Sequence, residues 1–492
     1  MDLPNVIAYR AIAARDARFD GVFFVGVKTT GIYCRPVCTA KTPKLSSCQF
    51  YPTAALAEQA GFRPCLRCRP ELAPGQSSVD GVRTAARAAA ARIEAGALND
   101  GGGLEQLAAS LSLSSRQLRR AVRAEFGVSP VELAQTHRLL LAKRLIAETA
   151  LSMTQIAYAA GFASVRRFNA VFRCNYRLTP SELRRTEARD ETSGTLRLTL
   201  AYRPPHDWAS TTTFLAARAV LGVECVTSDE YRRTVQIGRH CGVLKVADAP
   251  PKHAVVVELS AELVPALPSL LAKLRHLFDL DARPDVIDQH LSVDPRLRSC
   301  VRRRPGLRVP GAFDSFELAT RAVLGQQVTV RGASTLAGRL AQRFGGALKT
   351  TSKCLNRLSP TAQDLAAARS SALTDLGLTS ARAETLRRLA RAVADGAIDL
   401  EPGADPILTV AKLLEIPGIG DWTAQYIAMR ALHWPDAFPA GDLGLLKASG
   451  AVSPRELERK AERWRPWRAY AALQLWNGLG KSSRRKPAST QE

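Results

Sequence analysis

Four of the ten cysteines stand in two close pairs near the N-terminus, at a spacing that could hold a metal ion. Three residues separate Cys34 from Cys38, two separate Cys65 from Cys68, and 26 residues lie between the pairs. Four thiolates complete the tetrahedral shell that zinc prefers, which predicts a zinc site. The alternatives are chance spacing or a redox role for the second pair. Cys48 has no partner nearby and is expected to be a small buried residue.

Such a site is either structural or chemically active. Four-thiolate zinc sites are usually structural. Zinc also keeps a thiol ionised at neutral pH, and the thiolate is the nucleophilic form of cysteine. The spacing alone leaves both possibilities open.

A second pattern, far along the chain, is suited to contact a phosphate backbone. Residues 413–430 (LLEIPGIGDWTAQYIAMR) predict a helix, a Pro-Gly-Ile-Gly hairpin and a second helix. Gly418 and Gly420 would let backbone N–H groups approach a DNA phosphate at the N-terminus of that second helix. The alternative is a turn that connects two helices and binds nothing.

The segment 104–185 contains an internal repeat with an offset of 50 residues. Each copy predicts a short helix, a turn, a serine N-cap and an arginine-rich second helix, and a helix over about 130–146 joins the copies. This is a helix-turn-helix arrangement, in which the second helix enters the major groove. A helical bundle with a solvated arginine face is the alternative. The expected groove or phosphate contacts are Arg116, Arg119, Arg166 and Arg167.

The composition and the net charge of the chain indicate the class of partner that these residues bind. Lys and Arg outnumber Asp and Glu by 69 to 45, which gives a net charge of +24 and favours nucleic acid as the partner. The apolar content of 46% excludes disorder for most of the chain. No uninterrupted apolar run reaches membrane-spanning length, and the N-terminus lacks a signal peptide core. We therefore expect a cytoplasmic, nucleoid-associated protein with no membrane partner.

The 492 residues predict a multidomain chain, since they amount to about three typical domains. Alternating apolar residues predict strands over 196–202, 232–237, 242–247 and 254–260, and helical spacing returns after about residue 310. The predicted division is a small α/β zinc domain at 1–78, a linker helix at 79–103, an all-α double helix-turn-helix at 104–188, an α+β subdomain at 195–309, an all-α helix-hairpin-helix domain at 310–480 and a disordered tail at 481–492.

Residues 29–38 (TTGIYCRPVC) and 61–70 (GFRPCLRCRP) resemble the N-terminal domain of the Ada DNA-repair regulators, over about residues 5–75. The resemblance implies one zinc ion per chain. It also implies that Cys34 accepts a methyl group from a methylated DNA phosphate, while Cys38, Cys65 and Cys68 serve only as ligands. Methylation would change the charge of the centre from −2 to −1, so the methylated domain should bind DNA more strongly.

The same resemblance assigns DNA contacts to Thr30, Lys41 and Arg63. One departure weakens this assignment, because Thr39 stands where the family tends to place a basic residue after the second cysteine. The repeat at 104–185 resembles the AraC family of DNA-binding regulators. Promoter DNA is then the expected partner, with RNA polymerase as a further candidate.

The C-terminal half resembles AlkA-type 3-methyladenine DNA glycosylases from about residue 196 to 479. The resemblance is strongest at 202–208, 214–219, 322–328, the hairpin and 464–470. It implies that Asp442 is the catalytic carboxylate. A pocket and wedge for a flipped, cationic base would be formed by Trp422, Tyr426, Trp476, Gln326 and Gln327. Gln327 and Asn477 depart from the family's apolar wedge and aromatic residue, which leaves the substrate range open.

Motifs that the chain lacks narrow its expected chemistry. Strand-cutting relatives place a lysine two residues after the hairpin's second glycine, where this chain has Trp422. This disfavours an oxidised-base glycosylase with lyase activity. No cysteine follows Cys354, so an iron–sulfur cluster near the C-terminus is not expected, nor is an organic cofactor. The favoured interpretation is a bifunctional alkylation-repair and regulatory protein. The alternative is a transcription regulator with a catalytically inactive glycosylase-like domain.

Overall fold

A computed structural model describes residues 5–74, 85–99, 103–186, 196–350, 352, 354–401 and 403–479. The tail expected at 481–492 lies outside these residues. Within them, four units follow one another along the chain. No helix in the described ranges is long and apolar enough to cross a membrane.

The first unit is a small sheet with two helices. Its strands have the order β3-β1-β2-β4, and β2 and β4 run parallel while the other neighbours are antiparallel. The elements are α1 (Asn5–Ala13), β1 (Phe24–Val27), β2 (Ile32–Cys34), β3 (Cys48–Tyr51), α2 (Ala54–Gln59) and β4 (Arg63–Pro64). Phe23 and Tyr33 are fully buried in it.

The second unit is entirely helical and contains the expected repeat. Its helices are α3 (Ala85–Glu94), α4 (Leu104–Ser110), α5 (Ser115–Phe126), α6 (Pro130–Glu148), α7 (Met153–Ala159), α8 (Val165–Tyr176) and α9 (Pro180–Thr186). Ser114 and Ser164 cap α5 and α8, each accepting a hydrogen bond from the backbone N–H three residues later. The two expected helix-turn-helix copies are therefore α4–α5 and α7–α8.

The third unit is a five-stranded antiparallel sheet with helices, in the order β5-β9-β8-β7-β6. Its elements are β5 (Leu196–Ala201), α10 (Trp208–Ala216), β6 (Glu224–Val226), β7 (Glu230–Ile237), β8 (His240–Ala249), β9 (Ala254–Leu259), α11 (Leu267–Leu277), α12 (Pro284–Leu291) and α13 (Pro295–Arg303). Helical structure thus returns at Leu267, earlier than the predicted position near residue 310. The leucines of α11 are buried at helical spacing against the sheet, a pattern that the alternating strands before them obscured.

The fourth unit is helical and has one continuous apolar core. Its helices are α14 (Ser315–Leu324), α15 (Val330–Phe344), α16 (Ala362–Ala367), α17 (Ser370–Thr374), α18 (Ser380–Ala394), α19 (Pro406–Leu414), α20 (Asp421–Arg430), α21 (Leu443–Ser449), α22 (Pro454–Ala461) and α23 (Arg468–Leu479). The expected multidomain fold, with a small zinc-type sheet domain, a helix-turn-helix domain and a helix-hairpin-helix domain, is confirmed.

The two helix-turn-helix copies pack into different cores. Helices α3, α4 and α5 form one core with Ala55 and Leu56 of the first unit. Helices α7 and α8 share a second core with the sheet of the third unit, and this core includes Phe168, Phe172 and Leu198. The similar sequences of the two copies therefore serve two different interfaces.

Glu148, at the end of α6, binds three units at once. Its carboxylate accepts hydrogen bonds from Arg69 of the first unit at 3.0 Å and from Arg144 of its own helix at 3.3 Å. It also accepts a bond at 3.3 Å from the backbone N–H of Thr199, on the free edge of β5. Arg144 donates to the carbonyl of Thr199 at 2.6 Å, so the edge of the sheet is covered by paired charges.

Arg203 joins the first and third units through a fully buried guanidinium. It donates to the backbone carbonyl of Asp20 at 3.0 Å and to that of Asp281 at 2.6 Å. The carboxylate of Asp20 is in turn paired with Arg35, the residue after Cys34. The first unit is therefore docked on the third by contacts that reach the cysteine cluster.

We expect Arg203→Ala to loosen this docking, because two backbone carbonyls would lose a charged donor in a dry interface. The local free energy of opening should fall by about 2 kcal/mol. Hydrogen exchange followed by mass spectrometry, on peptides covering 16–27 and 274–282, measures the effect. Arg197→Ala, at an exposed position on β5, is the matched control. Unchanged exchange in Arg203→Ala would contradict the docking.

Candidate functional site

The strand pairing of the first unit brings the two cysteine pairs together. β2 and β4 run parallel with Tyr33 opposite Pro64, so the next residues, Cys34 and Cys65, lie side by side. The N–H of Cys65 donates to the carbonyl of Tyr33 at 3.0 Å. Cys38 and Cys68 follow in the turns after these strands. The four Sγ atoms all lie within 4.8 Å of one another.

This cluster fits a tetrahedral thiolate site for zinc. Zn–S bonds of about 2.3 Å place the sulfur atoms of such a site about 3.8 Å apart. Hydrogen bonds with Cys38, Cys65 and Cys68 raise the pKa of Cys34, whereas the hydrogen bond with Cys34 lowers the pKa of Cys65. Four ionised sulfur atoms this close together repel one another, so four thiolates require a cation between them.

Arg35 braces the cluster from behind. Its backbone N–H points at Sγ of Cys68 at 3.3 Å, and its guanidinium donates to the carbonyl of Cys68 at 3.2 Å. The guanidinium also forms the buried ion pair with Asp20. Arg35 is therefore fully engaged inside the protein and cannot reach an external phosphate.

The residues expected to contact DNA in this unit lie near the cluster. Thr30 and Lys41 are exposed, and Arg63 is half-buried at the start of β4. The N–H of Arg63 donates to the carbonyl of Gly31 at 2.8 Å, which places Arg63 beside the turn that carries Thr30. Lys41 stands in the loop after Cys38, apart from these two.

The four arginines expected to read DNA are exposed at the beginnings of α5 and α8. Arg116 and Arg119 lie in the first turns of α5, and Arg166 and Arg167 in the first turn of α8. In helix-turn-helix proteins the N-terminal residues of the second helix contact base edges. The four arginines occupy these positions. Each arginine's role stays a prediction.

Asp442 is held rigidly in the fourth unit. It caps the N-terminus of α21, where Oδ1 accepts a hydrogen bond from the N–H of Leu445 at 2.9 Å. The indole of Trp476 donates to the same oxygen at 2.8 Å, and the indole of Trp422 donates to Oδ2 at 2.9 Å. All three donors are neutral, so they orient the carboxylate without cancelling its charge.

The aromatic residues expected around Asp442 are indeed brought together. The rings of Trp422 and Tyr426 are stacked, with centroids 5.2 Å apart and planes 7° from parallel. They lie one turn apart on α20, while Trp476 reaches Asp442 from α23. The hairpin before α20 and the packing of α21 on α23 therefore position every side chain of this group.

Sequence reasoning missed three residues behind the stack. Arg430 donates to the Tyr426 hydroxyl at 2.9 Å, and the guanidinium of Arg218 lies 3.7 Å from the centroid of the Phe214 ring. Burial opposes ionisation of Tyr426, but the charges of Arg430 and Arg218 prevail and lower its pKa to about 8. Arg430 follows Tyr426 by one helical turn, a spacing that could have identified it.

The hairpin residues have distinct structural roles. Gly418 has a φ of +92°, and a Cβ there would meet Oγ1 of Thr385 at 2.1 Å, so only glycine fits. A Cβ on Gly420 would meet no atom within 4 Å, so the chain is open to an approaching ligand at the N-terminus of α20. Gln326 braces the hairpin, because its amide donates to the carbonyl of Gly418 at 2.8 Å and to Thr423 at 3.0 Å.

Gln327 and Asn477 were the two expected departures near the pocket. Gln327 is exposed and has a left-handed backbone with a φ of +55°. Gln327 lies in the turn before α15. Its neighbour Gln326 faces the hairpin instead. The amide of Asn477 donates to the carbonyl of Leu473 within α23 at 3.1 Å.

Four family descriptions match successive parts of the chain. They are the metal binding domain of Ada at 7–71, a helix-turn-helix domain at 107–186, the AlkA N-terminal domain at 197–314 and the HhH-GPD superfamily base excision DNA repair protein at 320–467. Together they follow the order of the four units.

Individual proteins are similar over long stretches. A probable bifunctional transcriptional activator/DNA repair enzyme AlkA of Mycobacterium tuberculosis is 40% identical over 482 residues, 96% of each chain. DNA-3-methyladenine glycosylase 2 of Escherichia coli is 39% identical over 56% of this chain and 96% of its own length. A solved 3-methyladenine DNA-glycosylase from Archaeoglobus fulgidus shares the fold of the C-terminal half, with a TM-score of 0.51 and 20% identity over 58% of this chain and 99% of that one.

We expect the purified chain to contain one equivalent of zinc, and Cys68→Ser to lose it, because a three-thiolate site leaves the ion one ligand short. Metal analysis by atomic emission after gel filtration measures the content. Cys48→Ser is the control, since the Cys48 thiol only donates to the carbonyl of Lys44 at 3.3 Å. Zinc content that is equal in Cys68→Ser and wild type would refute the ligand set.

Proposed function

Because the chain belongs to the family of bifunctional transcriptional activators and DNA repair enzymes that join Ada-type and AlkA-type domains, we propose a separate chemistry for each of its two sites. The Asp442 pocket hydrolyses the N-glycosidic bond of alkylated bases such as 3-methyladenine. The cysteine cluster takes a methyl group from methylphosphotriesters in DNA, once per molecule. The helix-turn-helix unit directs the protein to promoter DNA.

One observation carries the glycosylase proposal: Asp442 is a fixed carboxylate bound only by neutral donors beside stacked aromatic rings. Departure of an alkylated purine leaves positive charge on the sugar. A preorganised carboxylate stabilises that charge as it develops, and it can orient and deprotonate the attacking water. Two indole N–H groups keep both oxygens in place, so no reorganisation is needed during the reaction.

The aromatic stack suits a base that carries positive charge. Trp422 and Tyr426 present electron-rich faces, which attract cations and therefore favour alkylated over normal purines. Arg430 and Arg218 hold Tyr426 and Phe214 in place from behind the rings. The hairpin N–H groups at Gly420 supply phosphate contacts that do not depend on the base.

We expect Asp442→Asn to lose base excision by about 10²–10³ while it retains DNA binding. The amide keeps the size of the side chain but loses the charge that stabilises the sugar cation. Single-turnover excision on a 3-methyladenine or 7-methylguanine duplex measures the rate, and fluorescence anisotropy measures binding.

Asp421→Asn is the matched control, because Asp421 is an exposed acid at the start of α20, the helix that carries Trp422 and Tyr426. An Asp442→Asn variant as fast as wild type would remove Asp442 from the mechanism. A wild-type protein that releases no base would instead support the inactive, DNA-binding alternative.

At the other site, the Cys34 thiolate attacks the methyl carbon of a phosphotriester. A C–S bond forms, the C–O bond breaks, and the phosphodiester leaves as an anion. Zinc, when bound, keeps the thiols ionised at neutral pH. Cys34 lies at the end of β2 with its side chain half-buried, while Cys65 is buried and suited to a ligand role.

Methylation changes the charge beside DNA. With a divalent cation and four thiolates the centre carries −2, and a Cys34 thioether leaves −1. The electrostatic repulsion between the metal centre and the DNA backbone is thereby weakened. The effect is largest at low salt, where the Debye length exceeds about 10 Å and charges are less screened. We propose that this switch strengthens promoter binding through the arginines of α5 and α8. The protein would then act at the nucleoid, with RNA polymerase as the candidate partner.

We expect Cys34→Ala to abolish methyl transfer to the protein while base excision continues at the wild-type rate. Removing one thiol eliminates the acceptor atom and leaves the Asp442 pocket intact. Peptide mass spectrometry after incubation with methylated DNA measures the transfer, and Cys48→Ala is the control. An unmodified Cys34 peptide in wild type would eliminate the acceptor assignment.

A further inference from the structure

Two cysteines outside the metal cluster meet where the third and fourth units join. Cys225 lies on β6, at the edge of the sheet, and Cys354 lies in the loop that follows α15. The backbone brings these segments together, because the N–H groups of Asn356 and Arg357 both donate to the carbonyl of Gly222 at 2.9 Å. The pairing is therefore built from main-chain contacts and does not depend on the thiols.

The two thiols lie close enough for each to shift the pKa of the other. Arg232 donates to Sγ of Cys225 at 3.5 Å, and the Ser352 hydroxyl lies 3.1 Å from Sγ of Cys354. Both cysteines are half-buried, so a small oxidant can reach them. This arrangement of a cationic donor and a hydroxyl beside two accessible thiols is typical of reactive cysteines.

The environment separates the roles of the two thiols. The hydrogen bond with Ser352, together with Cys225 and the charge of Arg232, lowers the pKa of Cys354 against the effect of burial. Burial, followed by the interaction with Cys354, raises the pKa of Cys225. Cys354 is thus the stronger source of thiolate at neutral pH, and Cys225 is placed to react second.

We propose that Cys354 and Cys225 form a reversible disulfide when the protein meets peroxide. The Cys354 thiolate attacks the peroxide, an S–O bond forms, the O–O bond breaks, and the departing hydroxide takes up a proton as water. The Cys225 sulfur then attacks the Cys354 sulfenic acid, an S–S bond forms, and the S–O bond breaks to release a second water. One peroxide and two thiols give one disulfide and two waters.

The disulfide would fix the third unit to the fourth. Gly222, just before β6, already forms backbone hydrogen bonds with the loop, so the two segments are held together before the disulfide forms. The cross-link closes a long stretch of chain, which restricts the unfolded state and stabilises the folded one. The hydrogen bonds to Asp442 involve none of these residues, so base excision is expected to continue after oxidation.

The test is to treat the full-length protein with hydrogen peroxide, alkylate the remaining thiols and map the peptides by mass spectrometry. We expect a cross-linked peptide pair that contains Cys225 and Cys354, two hydrogens lighter than its reduced components and absent after dithiothreitol. The thermal unfolding midpoint should rise by about 3 °C or more in the oxidised protein. Peptide mapping distinguishes this disulfide from any oxidation of the four cysteines of the metal cluster.

Single variants assign the order of the steps. Cys225→Ser should stop at a Cys354 sulfenic acid that dimedone traps, whereas Cys354→Ser should leave Cys225 unmodified. Cys241→Ser is the matched control, as Cys241 is a half-buried cysteine on β8, two strands from β6 in the same sheet, and it should form the cross-link like wild type. Wild-type protein without the cross-linked pair, or dimedone trapping at Cys225 in place of Cys354, would overturn the proposal.

Discussion

The carboxylate of Glu148 binds donors from three units at the same time, and the arrangement of the first three units depends on this contact. A charge that leaves water costs several kcal/mol unless a fixed partner meets it. If any of the three units moved away, Glu148 would therefore lose one of its donors in a largely buried interface. Removing one partner of such a group costs about 3–5 kcal/mol, which is a large fraction of a domain's stability.

Asp442 differs from Glu148 because its hydrogen-bond donors are all neutral. This difference distinguishes a carboxylate at a reactive site from one that holds an interface together. Asp436 is neutralised by Arg465 and Arg468, and this ion pairing stabilises the fourth unit. Asp442, by comparison, forms no ion pair within the described part of the chain and is held by two indoles and one backbone N–H. Its negative charge stays available for a cation that appears only during a reaction.

The sequence predicted what is locally encoded. Ser114 and Ser164 were placed correctly as helix caps because a cap depends on residues three positions away. The grouping of the four cysteines followed from their spacing. The positions of Phe214 and Arg218 behind Tyr426 could not be predicted in this way, since they come from a different unit and meet the pocket only through tertiary packing.

The contacts between units were the least predictable part of the fold. Arg203 stands in a stretch that was noted for its resemblance to glycosylases, yet its guanidinium is buried against Asp20, 183 residues earlier in the chain. Nothing in the local pattern marks an arginine that will be buried. The helices over 267–303 belong to the expected α+β subdomain, but their positions were not predicted, because apolar residues of a buried helix and of a buried strand look alike in short windows.

The core that α7 and α8 share with the sheet of the third unit has a consequence for the evolution of the fusion. Relatives such as the Escherichia coli protein correspond to the last two units alone, so the joined parts also exist as separate proteins. Once two such parts bury a common apolar surface, recombination can no longer exchange either of them without loss. A change in the size of an apolar side chain on either side of this core, such as Phe172 or Leu198, then has to be accommodated by the other unit.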